Sequence, residues 1–325
     1  MEQRPPPESP AESPVVPPPG GASPGGGARA RRILVIKLGA LGDVVLAFGP
    51  FAAIRAHHPD ARITLLTTAP FAELARRSPW FDAVEVDARP RWWDLRGLRD
   101  LRRTLRGHDF VYDLQTSGRS SRYFRLAGRP PWSGIARGAS HPHANPDRDA
   151  MHTVERQREQ LRMAGIARVP APDLSWLTAG GPALPAPYAL LVPGAAPHRP
   201  AKRWPAERFG QLAAVLAERG VRPVVAGTAA EAPLAAAILA ACPRAEDLTG
   251  RTSLFDLAGV AARASLAVGN DTGPMHLAAA VGCPCVVLFS RDSDPALTAP
   301  RGRVRVLRAP HLADLPVARV AAALP

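Results

Sequence analysis

Lysine is scarce in this 325-residue sequence, which has only Lys37 and Lys202 among its 41 basic residues. The other basic side chains are arginines, and since there are 28 acidic residues the net charge is +13. Such an excess favours an anionic partner, such as nucleic acid, a phosphorylated sugar or an acidic membrane surface, without choosing among them. Because ammonium and guanidinium groups are not interchangeable at a phosphate, it is suggestive that both lysines fall in candidate site motifs.

Cysteine and long apolar runs are also scarce. Cys242, Cys283 and Cys285 are an odd number without the spacing of metal ligands, so we interpret them as reduced core residues. No run of about 20 apolar residues could span a bilayer. Residues 1–30 lack the apolar stretch of a secretory signal. We therefore expect a cytoplasmic protein.

Proline and glycine are concentrated in the first 30 residues, which hold nine prolines and five glycines and have almost no aliphatic run. Such a segment cannot bury enough apolar surface to offset the entropy of ordering it, so residues 1–30 are predicted to be a disordered head. The remaining length is enough for about two domains of roughly 150 residues each.

Apolar β-type runs alternate with helical segments from Arg32 onward. The first unit is a strand at 33–36, a glycine-rich turn, a helix with Val44, Phe48, Phe51 and Ile54 on one face, and a strand at 63–67. Further strands are predicted at 83–86, 110–114 and near 135, and helices at 98–105 and 153–164. After a proline-rich stretch, strands at 188–192, 223–226, 265–268 and 285–289 alternate with helices at 206–219, 230–241, 254–262 and 274–281.

This alternation predicts an α/β protein with two doubly wound parallel-sheet domains, residues 31–170 and 188–325, joined by a linker at 171–187. Ligands of such sheets bind at the carboxyl ends of the strands, and with two facing domains the natural site is the cleft between them.

The first candidate motif lies between the first strand and the first helix and contains Lys37, Gly39, Gly42 and Asp43. It has only two of the three glycines of the dinucleotide fingerprint, and the second strand ends without the acidic residue that would hold a ribose. An oxidoreductase is therefore disfavoured. Asp43 has two interpretations that the sequence leaves open, a helix N-cap and a general base.

Two further motifs follow strands of the second half. The segment 202–205 (KRWP) offers Lys202 and backbone N–H groups to a diphosphate, or is a solvated basic loop. In the segment 269–276 (GNDTGPMH), Asp271 or Thr272 can cap a helix whose amino end, at Gly273, presents unpaired donors to an anion. His276 lies in the first turn of that helix, where it could reach the same anion or be a partly buried histidine.

Two other segments have less specific patterns. Residues 89–129 carry eleven arginines with Trp92, Trp93 and Tyr123 between them, which is typical of a nucleic-acid or membrane-facing surface and equally of solvated helices with ion pairs. The histidines and aspartates of residues 141–152 do not have the spacing of a known metal-ligand set, so no metal site is predicted there.

Four segments in order resemble glycosyltransferase family 9, the ADP-heptose:lipopolysaccharide heptosyltransferases. They are residues 33–45 (ILVIKLGALGDVV), 202–205 (KRWP), 247–254 (DLTGRTSL) and 268–280 (VGNDTGPMHLAAA). The resemblance covers nearly all of residues 32–325. It departs from the family between Gly194 and Lys202, where hydroxyl side chains are common and this chain reads AAPHRPA.

The resemblance implies a GT-B fold, in which two Rossmann-like domains face each other, the first binding the acceptor and the second the nucleotide sugar. It further implies an inverting transfer without metal or cofactor, with Asp43 as the catalytic base. The donor-binding residues would then be Lys202, Asp271, Thr272, Gly273 and His276, with Glu231 as a candidate for the nucleoside, and the cleft loop on the acceptor side would contain Lys37, Gly39 and Gly42.

The partners implied are a nucleotide-sugar donor, ADP-heptose in this family, and a lipid-linked oligosaccharide acceptor of the lipopolysaccharide core. Such an acceptor lies at the cytoplasmic face of the inner membrane, where the basic stretch 89–129 is expected to make peripheral contact with anionic lipids. No nucleic acid is expected. The competing hypothesis is a non-catalytic protein of the same fold that binds nucleic acid, another anion or an acidic glycan.

Overall fold

The computed structural model describes residues 30–196 and 198–325, so the predicted disordered head lies, apart from Ala30, outside the described residues. The strands are β1 (Arg32–Ile36), β2 (Arg62–Thr67), β3 (Ala83–Val86), β4 (Phe110–Asp113), β5 (Trp132–Gly134), β6 (His141–Pro142), β7 (Tyr188–Val192), β8 (Arg222–Val225), β9 (Glu246–Asp247), β10 (Leu266–Asn270), β11 (Cys285–Phe289) and β12 (Val304–Arg308). The α-helices are α1 (Leu41–Val45), α2 (Phe48–His57), α3 (Ala69–Arg77), α4 (Leu95–Leu105), α5 (Gly118–Leu126), α6 (Thr153–Met163), α7 (Ala206–Glu218), α8 (Ala232–Ala241), α9 (Leu254–Arg263), α10 (Gly273–Ala280), α11 (Pro295–Thr298) and α12 (Val317–Ala321).

Within the described residues the strands form two parallel six-stranded sheets, in the orders β3-β2-β1-β4-β5-β6 and β12-β11-β10-β7-β8-β9. The central strands β1 and β7 are apolar and almost wholly buried because helices cover both faces of each sheet. The predicted α/β architecture is confirmed. The strand order reverses between β1 and β4 in the first sheet and between β7 and β10 in the second, so the loops that follow these four strands are where ligands of such sheets bind.

The single helix predicted after the first glycine-rich turn is wrong, because two helices, α1 and α2, occupy that segment. The turn between them keeps a right-handed helical backbone, with φ −64° and ψ −15° at Leu46 and φ −92° and ψ −2° at Ala47. The apolar face therefore continues through the break, and Val44, Phe48 and Phe51 are buried in one core as if they belonged to one helix.

The proline-rich segment between the two sheets packs against residues on either side of it. It contains a short 3₁₀ helix, Ser175–Leu177, whose Leu177 is completely buried. The ring of Trp176 lies 6.4 Å from that of Phe48 and 6.4 Å from that of Phe255, measured between centroids. Aromatic contacts at this separation hold the segment to elements of both halves of the chain.

The cysteines are buried and unpaired, which confirms their interpretation as core residues. Among the helices of residues 30–196 and 198–325, none is both long enough and apolar enough to cross a membrane.

Candidate active site between the two sheets

Asp43 lies in the first turn of α1, directly after the loop that follows β1. The N-cap residue of α1 is Ala40, and Asp43 is the third helical residue, N3. The interpretation of Asp43 as the N-cap is therefore wrong. One carboxylate oxygen, Oδ2, accepts a hydrogen bond of 3.2 Å from the Ala40 N–H. The other oxygen, Oδ1, accepts no hydrogen bond from any described residue, and the side chain is half-buried. Oδ1 of Asp43 is therefore free to accept a hydrogen bond or a proton at the cleft.

Lys37 follows β1 and is buried, with its Nζ donating a 3.1 Å hydrogen bond to the Leu114 carbonyl. Burial lowers the pKa of Lys37 below its ordinary value, although the neighbouring Asp43 and Asp113 oppose that shift. Lys37 is thus a buried amine beneath the cleft loop, held by the loop after β4.

Asp113, at the end of β4, is a buried carboxyl group that the sequence analysis did not single out. Its Oδ1 accepts hydrogen bonds from the N–H groups of Gln115 at 3.1 Å and Thr116 at 2.9 Å, while its Oδ2 is buried without a partner among the described residues. Burial raises the pKa of Asp113 to about 6. This residue shapes the loop after β4, whose Gln115 side chain in turn accepts a 2.8 Å hydrogen bond from the Leu38 N–H of the cleft loop.

Helices α1 and α10 cross the cleft and touch because each has a glycine where they meet. A Cβ atom on Gly42 would lie 2.8 Å from Cδ2 of His276, and one on Gly273 would lie 2.6 Å from Cβ of Leu41. Both distances are too short for a real side chain. Gly39 has a different reason to be glycine, because its φ of +118° is in the region that other residues avoid. The contacts at Gly42 and Gly273 bring the first turn of α1, which carries Asp43, against the amino-terminal part of α10.

The amino end of α10 carries a free hydroxyl group. Thr272 is the N-cap residue, but its side chain makes no capping hydrogen bond, and Pro274 occupies the first turn as predicted. Two residues earlier in the motif, Asn270 is completely buried and ties the end of β10 to both ends of the loop after β7. Its Oδ1 accepts from the Trp204 N–H at 2.9 Å, and its Nδ2 donates to the Pro193 carbonyl at 2.7 Å. Asn270 was overlooked in the sequence although its motif was found.

Lys202 is paired with Asp271 in this structure. Its Nζ lies 2.6 Å from Asp271 Oδ2, and the two side chains are only 12% and 7% exposed. The other carboxylate oxygen, Asp271 Oδ1, lies 4.0 Å from Nε2 of His276. An ammonium group has three donors, so Lys202 keeps donors for a second partner while Asp271 fixes its position.

His276 is buried on α10 and lies against Gly42 of α1. Burial lowers the pKa of His276 to about 4, although Asp271 and Asp43 oppose the shift. The imidazole is therefore neutral at pH 7. It can serve as a hydrogen-bond partner at the cleft, and it does not add a positive charge for an anion.

This pKa predicts a pH dependence of stability. Between pH 6.5 and 4 the unfolded chain, with an ordinary histidine pKa near 6.5, binds more protons than the folded chain. The contribution of His276 to the free energy of unfolding is therefore complete above pH 6.5 and is lost as the pH falls through that range. In His276→Gln the slope of the unfolding free energy against pH should decrease by up to about 1.4 kcal/mol per pH unit. Urea denaturation at steps from pH 7.5 to 4.5 measures it. The matched variant of the exposed His311, His311→Gln, should keep the wild-type slope; an unchanged slope in His276→Gln would contradict the assignment.

A cavity of about 890 Å³ lies beside the amino end of α10, within the range that holds small-molecule ligands. Its walls include Leu41 from the first half of the chain and Arg203, Glu231 and Thr272 from the second. Glu231 fits there because Gly194 and Gly227 leave room for its carboxylate. One of its oxygens, Oε2, accepts from the Thr228 N–H at 2.7 Å, so it also caps a helical turn.

Arg203 is the third residue of the site that the sequence analysis did not assign. Its Nη2 donates a 2.9 Å hydrogen bond to the Ala195 carbonyl, while its Nε is buried with no partner among the described residues. It therefore adds a guanidinium to the wall of the cavity, and Lys202 is not among the lining residues. The signal was present, since Arg203 is adjacent to Lys202 in the KRWP segment.

A sequence profile of glycosyltransferase family 9 (heptosyltransferase) matches residues 98–316. The chain belongs to glycosyltransferase family 9. Lipopolysaccharide heptosyltransferase 1 of Pseudomonas aeruginosa is 29% identical over 318 residues, with 88% of this chain and 85% of the relative covered. Lipopolysaccharide heptosyltransferase 2 of Escherichia coli K12 is 29% identical over 308 residues, with 85% and 88% covered.

Solved structures agree with the family assignment. The Escherichia coli heptosyltransferase WaaC with ADP is similar to this chain with a TM-score of 0.75 and 25% identity, covering 89% of this chain and 97% of that one. The GT-B fold expected from the sequence resemblance is thereby confirmed for this glycosyltransferase. A non-catalytic binding protein of the same fold is not favoured by these findings.

Other candidate residues of this family 9 glycosyltransferase do not converge. His143 pairs with Glu159 at 2.9 Å, whereas His152 donates from Nε2 to the Ala299 carbonyl at 2.9 Å. Over the described residues, no three potential ligands of a metal ion come together. The bond from His152 has a structural consequence, because it ties the start of α6 to the segment after α11.

Proposed function

We propose that this protein transfers heptose from ADP-heptose onto a lipopolysaccharide core or related lipid-linked glycan, with inversion at the anomeric carbon and without a metal ion. Family membership supports sugar transfer, and the named relatives act in lipopolysaccharide synthesis. The Escherichia coli enzyme WaaC has been solved with ADP and with ADP-2-deoxy-2-fluoro heptose, which supports the choice of donor. In this proposal residues 31–170 bind the acceptor and residues 188–325 bind the donor.

The observation that supports the proposal is the contact of α1 with α10, since the first turn of α1 carries Asp43 and packs against the opposite helix. Asp43 would take the proton of an acceptor hydroxyl as its oxygen bonds to the anomeric carbon. On the opposite face of that carbon, the bond to the nucleoside diphosphate breaks and its electrons leave with the phosphate. Attack opposite to departure inverts the configuration.

The leaving diphosphate gains charge as the bond breaks, and preorganised donors stabilise that charge best. The amino end of α10 offers the unpaired backbone N–H of Gly273 and the free Thr272 hydroxyl. Lys202 and Arg203 add positive charge from the loop after β7. Asp271 and neutral His276 would hold the turn, and Glu231 would accept from a ribose hydroxyl of the nucleoside.

Metal independence follows if those donors neutralise the diphosphate. We expect transfer to keep its full rate in excess EDTA, measured as ADP release in the presence of donor and acceptor. A parallel assay with added magnesium is the control. Loss of activity in EDTA that magnesium or manganese restores would contradict the proposed chemistry.

The donor assignment has a separate test that needs no acceptor. Ligands that bind only the native state raise the melting temperature. ADP-heptose and ADP are expected to raise it, and UDP- and GDP-sugars are expected to leave it near its starting value. A shift produced by a different nucleotide, with none from ADP, would overturn the donor assignment while leaving the fold and family as they are.

A lipid-linked acceptor implies that the enzyme acts at a membrane surface. We infer that the protein is cytoplasmic and meets the anionic cytoplasmic face of the inner membrane peripherally, and that it does not bind nucleic acid. The basic residues of 89–129 support this by their charge.

A further inference from the structure

Three large apolar side chains protrude from the segment that leads from β3 into the first turn of α4. Trp92 is 80% exposed, Trp93 is 56% exposed and Leu95 is 77% exposed. By contrast, Trp132 and Trp204 are almost fully buried. Soluble surfaces expose single apolar residues routinely, but adjacent ones of this size mark an interaction site. We call these three residues the apolar tip.

The segment that carries the apolar tip is anchored at both ends. At its start, buried Asp87 accepts hydrogen bonds from the Tyr123 hydroxyl at 2.6 Å and from the Arg89 N–H at 2.8 Å. At its end, Asp94 Oδ1 accepts from the Gly97 N–H at 2.8 Å and caps α4. The tip is thus held outward by bonds on each side.

The surface around the apolar tip is strongly basic. Residues 88–106 contain seven arginines and two aspartates. Both aspartates are engaged, Asp94 as a helix cap and Asp100 in an ion pair of 3.1 Å with Arg103. Leu95, Arg99 and Arg102 follow the i, i+4, i+7 spacing, so they share one face of α4. Apolar groups flanked by unpaired arginines complement a bilayer with anionic lipids.

The apolar tip also lies on the cleft side of its sheet. All strands of the sheet are parallel, so β3 ends at the same edge as β1, whose following loop leads to Asp43. Arg89, at the base of the segment, donates from Nη2 to the Leu38 carbonyl of that loop at 3.5 Å. A membrane at the tip would therefore lie on the side of the cleft from which an acceptor enters the first domain.

We propose that the apolar tip inserts into the headgroup region of an anionic bilayer while the arginines of α4 bind lipid phosphates. Indole rings favour that depth because they are apolar with one polar N–H, and basic helices are attracted to it electrostatically. A nucleic acid fits less well, because the aliphatic Leu95 has no face on which a base can stack. The inference rests on the proposed function in one respect only, namely that a lipid-linked acceptor explains why the enzyme would bind a membrane.

The test uses the full chain and sedimentation with two kinds of vesicle, phosphatidylcholine alone and phosphatidylcholine with phosphatidylglycerol. We expect binding only to the anionic vesicles, weakening as salt rises above about 0.15 M, where the Debye length falls below about 8 Å. Trp92→Ser/Trp93→Ser/Leu95→Ser should lower the partition coefficient more than about tenfold, since each apolar side chain loses its transfer free energy. Arg99→Glu/Arg102→Glu/Arg106→Glu should have at least as large an effect.

Matched variants separate a localised surface from overall charge. Arg219→Glu/Arg244→Glu/Arg319→Glu changes the net charge by the same amount at exposed sites of the other half of the chain, and should retain most of the binding. Met163→Ser removes an apolar group that is 41% exposed elsewhere and should bind as the wild type does. Equal losses in the two charge variants, or full binding by the tip variant, would overturn the proposal.

Two further readouts assign the surface if lipid is not its partner. Loss of oligouridine binding in the tip variant, with vesicle binding unchanged, would overturn the proposal in favour of RNA. A change from dimer to monomer by light scattering, again with vesicle binding unchanged, would overturn it in favour of a second copy of this chain. Transfer to a soluble acceptor should be unchanged in the tip variant. If the wild type does not transfer heptose at all, the proposed function fails and the vesicle result stands by itself.

Discussion

Asp43→Asn is expected to slow sugar transfer by about 10²- to 10⁴-fold, the usual contribution of a general base. The amide can no longer accept the proton of the acceptor hydroxyl. Its carbonyl oxygen can still accept from the Ala40 N–H, so the start of α1 should be preserved. Because the residue acts on the acceptor from the opposite half of the chain, the affinity for ADP should be nearly unchanged.

Steady-state kinetics and calorimetric titration with ADP measure the two quantities separately. Asp60→Asn is the matched control, since it removes one carboxylate from an exposed position after α2. It should behave as the wild type in both assays. Wild-type turnover by Asp43→Asn would mean that Asp43 is only a carboxylate of the first helical turn, and the proposed mechanism would be wrong.

Lys202→Met has the second large expected effect, because it removes two interactions at once. The ammonium of Lys202 would no longer meet the diphosphate, so donor affinity and transfer rate should fall together. The Asp271 carboxylate, whose side chain is 7% exposed, would also lose its ion-pair partner. Removing one member of a buried pair typically lowers the free energy of unfolding by about 3 to 5 kcal/mol.

A double variant distinguishes the two effects. In Lys202→Met/Asp271→Asn no unpaired buried charge remains, so the free energy of unfolding measured by urea denaturation should return most of the way to the wild-type value. Transfer should stay low, since the cation is still missing. Recovery of transfer together with stability would show that Lys202 serves only to pair Asp271.

The elements that could be predicted best from the sequence are the strands that are buried on both faces of their sheet, because burial on both faces selects a continuous apolar run. Strands such as β7 and β11 were predicted with the correct ends because their apolar runs are short and bounded by turn residues. Helices α3 and α5 were not predicted. α3 contains four polar or proline positions among nine, and α5 is rich in arginine and serine, so local propensity is weak and tertiary packing of a few side chains, such as Leu74 and Phe124, decides their form.

The motifs of the candidate site could be predicted from the sequence, but the pairs of residues that contact one another across it could not. Asp43, Lys202, Thr272 and Glu231 were all singled out in the sequence, and the structure brings their segments to the cleft. The partnership of Lys202 with Asp271 spans 69 positions in the chain. The contact of Gly42 with His276 is longer still. No local pattern encodes such pairs, because they depend on how two sheets are joined.

The sequence by itself determined the α/β alternation, the family and the segments that carry the chemistry, because apolar periodicity, glycine-rich turns and helix-opening residues act over a few residues. Tertiary structure alone decided which charges are paired and which stay free. It buries Lys37 against the Leu114 carbonyl, makes His276 neutral and leaves Trp92 and Trp93 exposed. The physical reason is that pairing, desolvation and exposure depend on distances between residues far apart in the chain, which only the packed fold sets.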